Sequence, residues 1–190
     1  MRAATDLLAE LGNVDALTMR AVATAAGVTP PSVYRHFQDK SSLVKTVITA
    51  HVDEFAQALQ APSTLDGVET TPVAHLEGMA RAYVEWALAR PGHYRVLFSA
   101  TNAGPIGLGL DEATEHPGAP TFRALVSAVG AYLPADAGEA AVFSTATELW
   151  ASLHGIVDLR ITTPEISWPD PPTLIDHALA AVRAQQHSPT

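Results

Sequence analysis

Residues 17 to 37 read Leu17-Thr18-Met19-Arg20-Ala21-Val22-Ala23-Thr24-Ala25-Ala26-Gly27-Val28-Thr29-Pro30-Pro31-Ser32-Val33-Tyr34-Arg35-His36-Phe37. This stretch predicts two short helices separated by a turn at Gly27, where glycine can take the positive φ that commonly ends a helix. Thr18 is the expected N-cap of the first helix, over residues 19–26. The apolar face of that helix would contain Met19, Val22, Ala23 and Ala26.

The second helix is predicted over residues 30–37. Thr29 can cap it, and Pro30 and Pro31 fall in its first turn, where a missing N–H removes no intrahelical hydrogen bond. Such a double proline is typical of a helix start, because a proline further along the helix would break it.

The two faces of this second helix differ in chemistry. Val28 is expected to anchor the turn in the core, while Val33 and Phe37, four residues apart, bury one side of the helix. The outward side chains would be Ser32, Tyr34, Arg35 and His36. This layout is typical of a helix-turn-helix motif, which presents its second helix to the DNA major groove.

The string from Gly27 to Phe37, with Asp39-Lys40 and a helix at Leu43 after it, resembles the DNA-binding domain of the TetR family. The match covers about forty residues. By position, the resemblance implies phosphate contacts from Thr18, Tyr34, His36 and Lys40. It implies that base edges are approached by Arg20, Pro30, Pro31, Ser32 and Arg35. Thr29 completes the predicted DNA-binding set. Phosphate contacts fix the register on DNA, whereas base contacts read its sequence.

One feature departs from the family pattern. TetR proteins usually carry a basic arm and a further helical turn before the first helix, whereas Met1-Arg2 leads directly into a helix predicted over residues 3–11. The chain therefore starts late or lacks the arm, which puts minor-groove contacts and part of the electrostatic affinity in question.

Composition and charge agree with a DNA-binding protein of modest footprint. The chain has 190 residues, is 47% hydrophobic and has no cysteine, which excludes a disulfide framework. Residues 1–48 carry five basic and four acidic side chains, so the net charge of −9 comes from the remainder. With neither a leader pattern nor a run of eighteen apolar residues, we expect a cytoplasmic protein.

The rest of the chain predicts further helices and no strand. They are expected at residues 42–59, 72–90, 91–98, 121–133, 136–160 and 173–185, with a linker at 62–72 and an irregular loop at 99–119. Glu77 and Arg81 would form an exposed pair along one helix, and Thr173 with Asp176 would cap the last helix.

The fold expected is all-α, with about nine helices. A helix-turn-helix DNA-binding domain would occupy residues 1–46, and a helical effector-binding and dimerisation domain residues 47–190. Residues 86–95 and 149–155 also resemble a TetR subgroup with a Trp-His-Gly signature. That resemblance implies a dimer seam formed by residues 139–160 and 173–185, and a ligand pocket between the middle helices.

The candidate pocket residues share helical spacing and apolar or aromatic character: Tyr83, Trp86, Tyr94, Phe98, Phe122, Trp150 and His154. Each can equally be an ordinary core residue. Asp158 could orient His154, or His154 could be a structural histidine at a tight helix contact allowed by Gly155. These two side chains supply only two ligands, so we predict no metal and no other cofactor.

The function expected is a dimeric, sequence-specific repressor that binds a pseudo-palindromic operator and is released by a small molecule. The first alternative is a TetR scaffold that binds a ligand or a partner and does not bind DNA. The second is an enzyme, which would need Ser144 or Ser152 to act with His154. No catalytic motif supports the enzyme.

Overall fold

The computed structural model describes residues 1–12, 14–60, 64–65, 68–69, 71–98 and 119–185. Within these ranges lie nine helices: α1 (Arg2–Leu11), α2 (Met19–Ala25), α3 (Pro30–Tyr34), α4 (Lys40–Gln60), α5 (Pro72–Ala89), α6 (Pro91–Phe98), α7 (Ala119–Tyr132), α8 (Glu139–Thr162) and α9 (Pro171–Gln185). The all-α prediction is confirmed.

Four residues of the predicted linker form strands instead. β1 (Thr64–Leu65) and β2 (Val68–Glu69) pair antiparallel, with Thr64 opposite Glu69 and Leu65 opposite Val68. The sequence Asp66-Gly67 between them is a pair typical of two-residue hairpin turns, a signal that the prediction of a linker without strands overlooked. The loop predicted at residues 99–119 lies outside the described residues, apart from the first residue of α7.

The chain divides into two compact units, and each has its own core. The head unit consists of Met1–Glu54 and Arg90–Ala119, and the body unit of Phe55–Ala89 and Pro120–Thr190. The prediction of segments 1–46 and 47–190 concerns function rather than compactness and stays a prediction. The head unit includes α6, which follows α5 in the chain, because Val96 of α6 joins the apolar core of the first helices.

The head core is built from one residue or more of each helix in that unit. Its fully buried members include Leu8, Leu17, Leu43 and Val47, and Val33 of α3 is also buried there. Phe37 packs against this core while half-buried. Since these side chains exclude water together, the position of α3 depends on α1, α4 and α6 as well as on its own sequence.

Helices α1 and α6 approach each other closely at Gly92. A Cβ built on Gly92 would lie 2.6 Å from the backbone oxygen of Ala9 and 3.0 Å from the Ala9 Cβ. No side chain fits there unless a backbone moves. Glycine is therefore required at this position for the contact between the two helices.

The body unit packs α5, α8 and α9 against one another. The α5 residues Leu76, Tyr83 and Ala87 are buried, as are Leu149, Leu153 and Val157 of α8. Helix α9 contributes Ile175, Leu179 and Val182. Each of the three helices thus presents a buried stripe of helical period to its neighbours.

Two predicted local pairs are replaced by contacts between helices. Arg81 bonds Asp176 of α9 at 2.7 Å, and Glu77 pairs with Arg183 of α9. The predicted pair of Glu77 and Arg81 within α5 is therefore wrong, because α9 places opposite charges beside both side chains. Each exposed pair contributes about 0–1 kcal/mol.

The cap of α9 is Asp170 rather than the predicted pair of Thr173 and Asp176. The Thr173 backbone N–H and hydroxyl donate to the Asp170 carboxylate at 3.1 and 2.8 Å. These bonds hold the pKa of the Asp170 carboxyl below its usual value. The prediction failed because the helix begins at Pro171, before Thr173.

We expect Gly92→Ala to lower the free energy of unfolding of the chain by about 1–3 kcal/mol, the usual cost of forcing extra atoms into a packed site. Urea denaturation followed by circular dichroism measures the effect. Gly130→Ala in α7 is the matched control, because its new Cβ would meet only Val142 Cγ1, at 3.5 Å. Equal stability of the two variants would contradict the close contact of α1 and α6.

Candidate DNA-binding surface

The turn between α2 and α3 is closed by two backbone hydrogen bonds around Gly27. The Gly27 N–H donates to the Thr24 carbonyl at 3.1 Å, and the Val28 N–H donates to the Ala23 carbonyl at 3.0 Å. Gly27 has φ 67°, as predicted. This bond pattern is a Schellman motif, in which a residue in the left-handed conformation ends the helix.

Two side chains of this turn are exposed where the sequence predicted burial. Ala26 lies just beyond the end of α2, so it no longer follows the buried face of Met19, Val22 and Ala23. Val28 is 45% exposed. The turn is held by its backbone bonds, so it does not need a buried side chain at Val28.

Helix α3 begins where it was predicted to begin and ends earlier. Pro30 and Pro31 occupy its first positions after Thr29. The Thr29 hydroxyl makes no capping bond to the backbone and lies 3.1 Å from the Ser32 hydroxyl instead. The helix ends at Tyr34 rather than Phe37. Beyond it the chain continues as a turn, in which His36 and Phe37 N–H groups both donate to the Val33 carbonyl at 3.0 Å.

We call the ten predicted DNA-binding residues the reader surface: Thr18, Arg20, Thr29, Pro30, Pro31, Ser32, Tyr34, Arg35, His36 and Lys40. All of them lie in the head unit, and all but Ser32 and Lys40, which are half-buried, are exposed. Tyr34 is 53% exposed although it is aromatic. An exposed aromatic side chain beside Arg35 and His36 suits an interface with a polyanion better than a core.

Thr18 has the cap role that the sequence predicts. Its hydroxyl oxygen accepts a hydrogen bond from the Ala21 N–H at 3.1 Å. A threonine hydroxyl also carries a proton, which this bond leaves available to donate outward. The cap therefore holds Thr18 at the start of α2 with its hydroxyl proton available as a donor.

Lys40 begins α4 and is held by the chain segment before α2. Its ammonium Nζ donates to the Asp15 backbone oxygen at 3.0 Å. The ammonium has three N–H donors, so two remain after this bond. Nothing in the sequence indicates this contact, since Asp15 and Lys40 are 25 residues apart and only folding brings them together.

The start of α4 is fixed by a second pair of residues that the sequence analysis missed. The Ser42 N–H donates to the Asp39 carboxylate at 2.7 Å, and the Asp39 N–H donates to the Ser42 hydroxyl at 3.3 Å. An acidic residue followed three positions later by a hydroxyl is a recognisable helix-start signal. The pair sets the position of Lys40 between them.

The seven candidate pocket residues are divided between the two units. Tyr94 and Phe98 of α6 lie in the head unit with ring centroids 4.9 Å apart. The other five belong to the body unit and form continuous ring contacts there. Phe122 contacts Trp150 at 5.3 Å, and Trp150 contacts His154 at 4.5 Å. The Phe55 ring contacts the rings of both Tyr83 and Trp86, with centroid distances of 5.2 and 4.9 Å, respectively.

His154 is oriented by α5 and not by Asp158. Its Nδ1 lies 3.0 Å from the Tyr83 hydroxyl, whereas the Asp158 side chain is exposed. Burial lowers the pKa of His154 from 6.5 to about 4, so the imidazole is neutral at pH 7. The alternative in which Asp158 orients His154 is therefore wrong, because the imidazole turns toward Tyr83 of α5. Among the described residues no group of three histidines or acidic side chains lies close enough to hold a metal ion.

Gly155 has open space where its Cβ would be. The tight helix contact predicted at this glycine is therefore absent among the described residues of the chain itself. Because Gly155 has no side chain, the surface of α8 has a gap at this position.

A family profile described as the C-terminal domain of tetracyclin repressor-like proteins matches residues 76–182, more than half of the chain. The chain belongs to the TetR family. A second profile, for bacterial regulatory proteins of this family, matches residues 1–47. The profiles thus cover both the reader surface and the helices of the body unit, which confirms the family resemblance seen in the sequence.

Relatives of this TetR-family chain include regulators of two bacteria. It is 32% identical over 151 residues to an uncharacterized HTH-type transcriptional regulator of Mycobacterium tuberculosis, covering 78% of this chain and 62% of that protein. It is 33% identical over 123 residues to the class A tetracycline repressor from transposon 1721 in Escherichia coli, covering 65% and 47%. The chain thus matches less than two thirds of the length of either relative.

The fold is also that of solved TetR-like structures. A TetR-like transcriptional regulator from Rhodococcus sp. RHA1 superposes with a TM-score of 0.68 at 16% identity, covering 98% of this chain and 93% of that one. In the described part of the TetR-family chain, every helix is too short or too polar to cross a membrane.

We expect Gly27→Ala to lower the free energy of unfolding by about 1–2 kcal/mol, because a side chain raises the energy of the left-handed conformation. Space is not the cause, since nothing lies within 4 Å of the added Cβ. Gly27→Asn is the matched control, because asparagine tolerates this conformation. Urea denaturation measures both variants, and equal losses would contradict a conformational role for Gly27.

Proposed function

We propose that this TetR-family chain is a sequence-specific transcriptional regulator that acts as a repressor and binds a pseudo-palindromic operator as a homodimer. The observation that carries the proposal is the reader surface. The five-residue helix α3, with exposed Tyr34 at its end and exposed Arg35 just beyond it, buries only Val33 in the head core. An isolated helix of this length is unstable in water, so the head core has to hold it ready for a groove.

The reader surface offers two kinds of contact to DNA. Arg20 and Arg35 are the exposed guanidinium groups, and such groups can bond guanine edges in a bidentate manner. Thr18, Tyr34, His36 and Lys40 carry donors suited to phosphate oxygens. The contacts of Lys40 with Asp15 and of Thr18 with Ala21 support the second role, since both donors are held in position.

The dimer would form along α8 and α9, the seam proposed over residues 139–160 and 173–185. Support comes from an exposed stripe of small side chains on both helices. On α8 it comprises Ala141, Ser144, Ala151, Ser152 and the half-buried Gly155, with the exposed Glu148 among them. On α9 it comprises Ala180, Ala181 and Ala184. Small side chains allow two helices to approach closely, and the opposite face of each helix already forms the core of the body unit.

Two-fold symmetry then sets the geometry of the operator. Two α3 helices related by the dimer axis fit half-sites about one DNA turn apart, roughly 34 Å, or a multiple of it. The positive balance of residues 1–48 against a net charge of −9 for the whole chain favours contact through the head unit alone.

We further propose that a small molecule releases the repressor from its operator. The aromatic residues of the body unit with His154, and Tyr94 with Phe98 in the head unit, remain the candidate ligand contacts. The support is their apolar character together with a neutral His154 imidazole, which can donate or accept one hydrogen bond. Linkage requires operator and effector to weaken each other equally. Competition between them for the protein is the test.

The alternative is a TetR scaffold that binds a ligand or partner but not DNA. Its support is the acidic balance of the chain. We propose a cytoplasmic location for the protein. We propose no catalytic role and no cofactor. The subgroup with a Trp-His-Gly signature also stays a prediction.

Selection of bound sites from random DNA tests the proposal directly. The full chain should enrich a pseudo-palindrome, and its binding in a mobility shift should be sequence-selective and sensitive to salt. Recovery of no sequence, with no retardation of DNA flanking its own gene at low salt, would favour the alternative.

The two kinds of contact predict different mutant behaviour on the selected operator. Arg20→Ala or Arg35→Ala should relax preference at particular base positions by about 1–3 kcal/mol. Lys40→Ala should weaken all sites alike and reduce the slope of log affinity against log salt by about 1. Lys45→Ala, an exposed lysine of α4 outside the reader surface, is the control for charge alone. Equal behaviour of Lys40→Ala and Lys45→Ala would contradict a phosphate contact at Lys40.

Gly155→Leu should weaken the dimer at least tenfold, because a branched side chain would hold the two α8 helices apart. Analytical ultracentrifugation measures the dissociation constant. Ala131→Leu on the exposed face of α7 is the control, since it adds a similar side chain outside the seam. A dimer unaffected by Gly155→Leu would place the interface elsewhere.

A further inference from the structure

Two histidines meet inside the head unit, where α6 contacts α4. His51 of α4 is only 2% exposed, and its ring meets that of His93 of α6 edge-on, with centroids 4.5 Å apart. Within the described part of the chain, neither ring nitrogen of His51 has a hydrogen-bond partner. A polar side chain buried without partners is unusual and calls for an explanation.

Charged groups from three elements surround this pair. Asp6 of α1 and Glu54 of α4 act electrostatically on His51, as does His93. Arg90, next to the start of α6, bonds Glu54 at 3.0 Å and so ties α6 to α4 beside the two histidines. Because Glu54 is paired with Arg90, its negative charge is less able to stabilise a protonated His51.

The protonated form of His51 is therefore disfavoured in the folded head unit. Burial, and next the charge of His93, lower the pKa of His51 from 6.5 to about 4, although Glu54 and Asp6 oppose this. A neutral imidazole can stay buried against another ring, whereas an imidazolium without a partner is costly to bury.

Helix α6 also supports the reader surface. Val96 of α6 belongs to the same apolar cluster as Val33 of α3, and Gly92 lets α6 lie directly on Ala9 of α1. Loss of α6 from this site would open the core on which α3 rests.

We propose that the His51–His93 contact is a proton-sensitive latch, which holds α6 on the head unit while the His51 ring is neutral and releases it when that ring becomes charged. The effect of the latch on operator affinity rests on the proposed function. The latch itself does not, because it concerns only the packing of α6 on α1 and α4.

Because docking of α6 lowers the pKa of His51, docking should weaken as the pH falls. Above pH 6.5 both the docked and the undocked forms are neutral at His51, so docking has its full stability. Below pH 6.5 the undocked form binds a proton that the docked form takes up only near pH 4. The docking equilibrium constant should therefore fall roughly twentyfold between pH 7 and pH 5.

Hydrogen–deuterium exchange of the full chain measures this directly. Protection factors of the α6 amides, corrected for intrinsic exchange, should fall about twentyfold in the wild-type chain over this range. They should stay nearly constant in His51→Leu, whose side chain cannot be protonated. His177→Gln is the matched control, because His177 is exposed on α9 of the body unit. Flat α6 protection in the wild type, or an unchanged pH response in His51→Leu, would overturn the latch.

A second measurement needs no variant. In a histidine-labelled sample, the NMR signals of the His51 ring should stay neutral down to about pH 4 while α6 remains protected. Titration near pH 6.5 with α6 still docked would overturn the proposal even if His51→Leu did not fold.

Operator affinity separates the latch from the proposed function. His36 on the reader surface is common to both proteins, so the ratio of wild-type to His51→Leu dissociation constants isolates His51. That ratio should rise as the pH falls from 7 to 5. A constant ratio with falling α6 protection would refute the action on DNA binding. Failure to bind DNA at any pH would refute the proposed function while the exchange data still judge the latch.

Discussion

The burial of one face of α3 in the head core is the constraint on which the rest of the structure depends. The helix has five residues, too few to be stable in isolation, and Val33 and Phe37 hold it through apolar contacts. The same core includes side chains from α1, α4 and α6. The exposed groups of α3 therefore take their position from water exclusion on the other side of the helix.

Local hydrogen bonds complete what the core begins. The Schellman turn at Gly27, the Thr18 cap and the reciprocal bonds of Asp39 and Ser42 define where each short helix starts or ends. The bond from Lys40 to the Asp15 carbonyl connects the start of α4 to the segment before α2. Each bond is individually modest, but together they set the ends of helices that are only a few residues long.

The two buried histidines show how the same residue type serves different purposes. His154 in the body unit has a partner in the Tyr83 hydroxyl and is part of a run of aromatic contacts. His51 in the head unit has a ring contact but no hydrogen-bond partner among the described residues, and it lies among charges from three elements. Burial lowers the pKa of both, yet only His51 lies where a change of charge would act on the packing beneath the reader surface.

The sequence by itself determined the features that depend on neighbours along the chain. The turn at Gly27, the prolines that begin α3, the cap at Thr18, the nine helices and the family followed from residue types at short spacing, and the exposed residues of α3 followed from helical period. Tertiary structure alone decided the bond from Lys40 to Asp15, the contact of Gly92 with Ala9, the partners of Glu77, Arg81 and His154, and the meeting of His51 with His93. The physical reason is range. Backbone conformation and helix capping are set within about four residues, whereas these contacts join residues from 25 to 106 positions apart that only the packing of helices brings together.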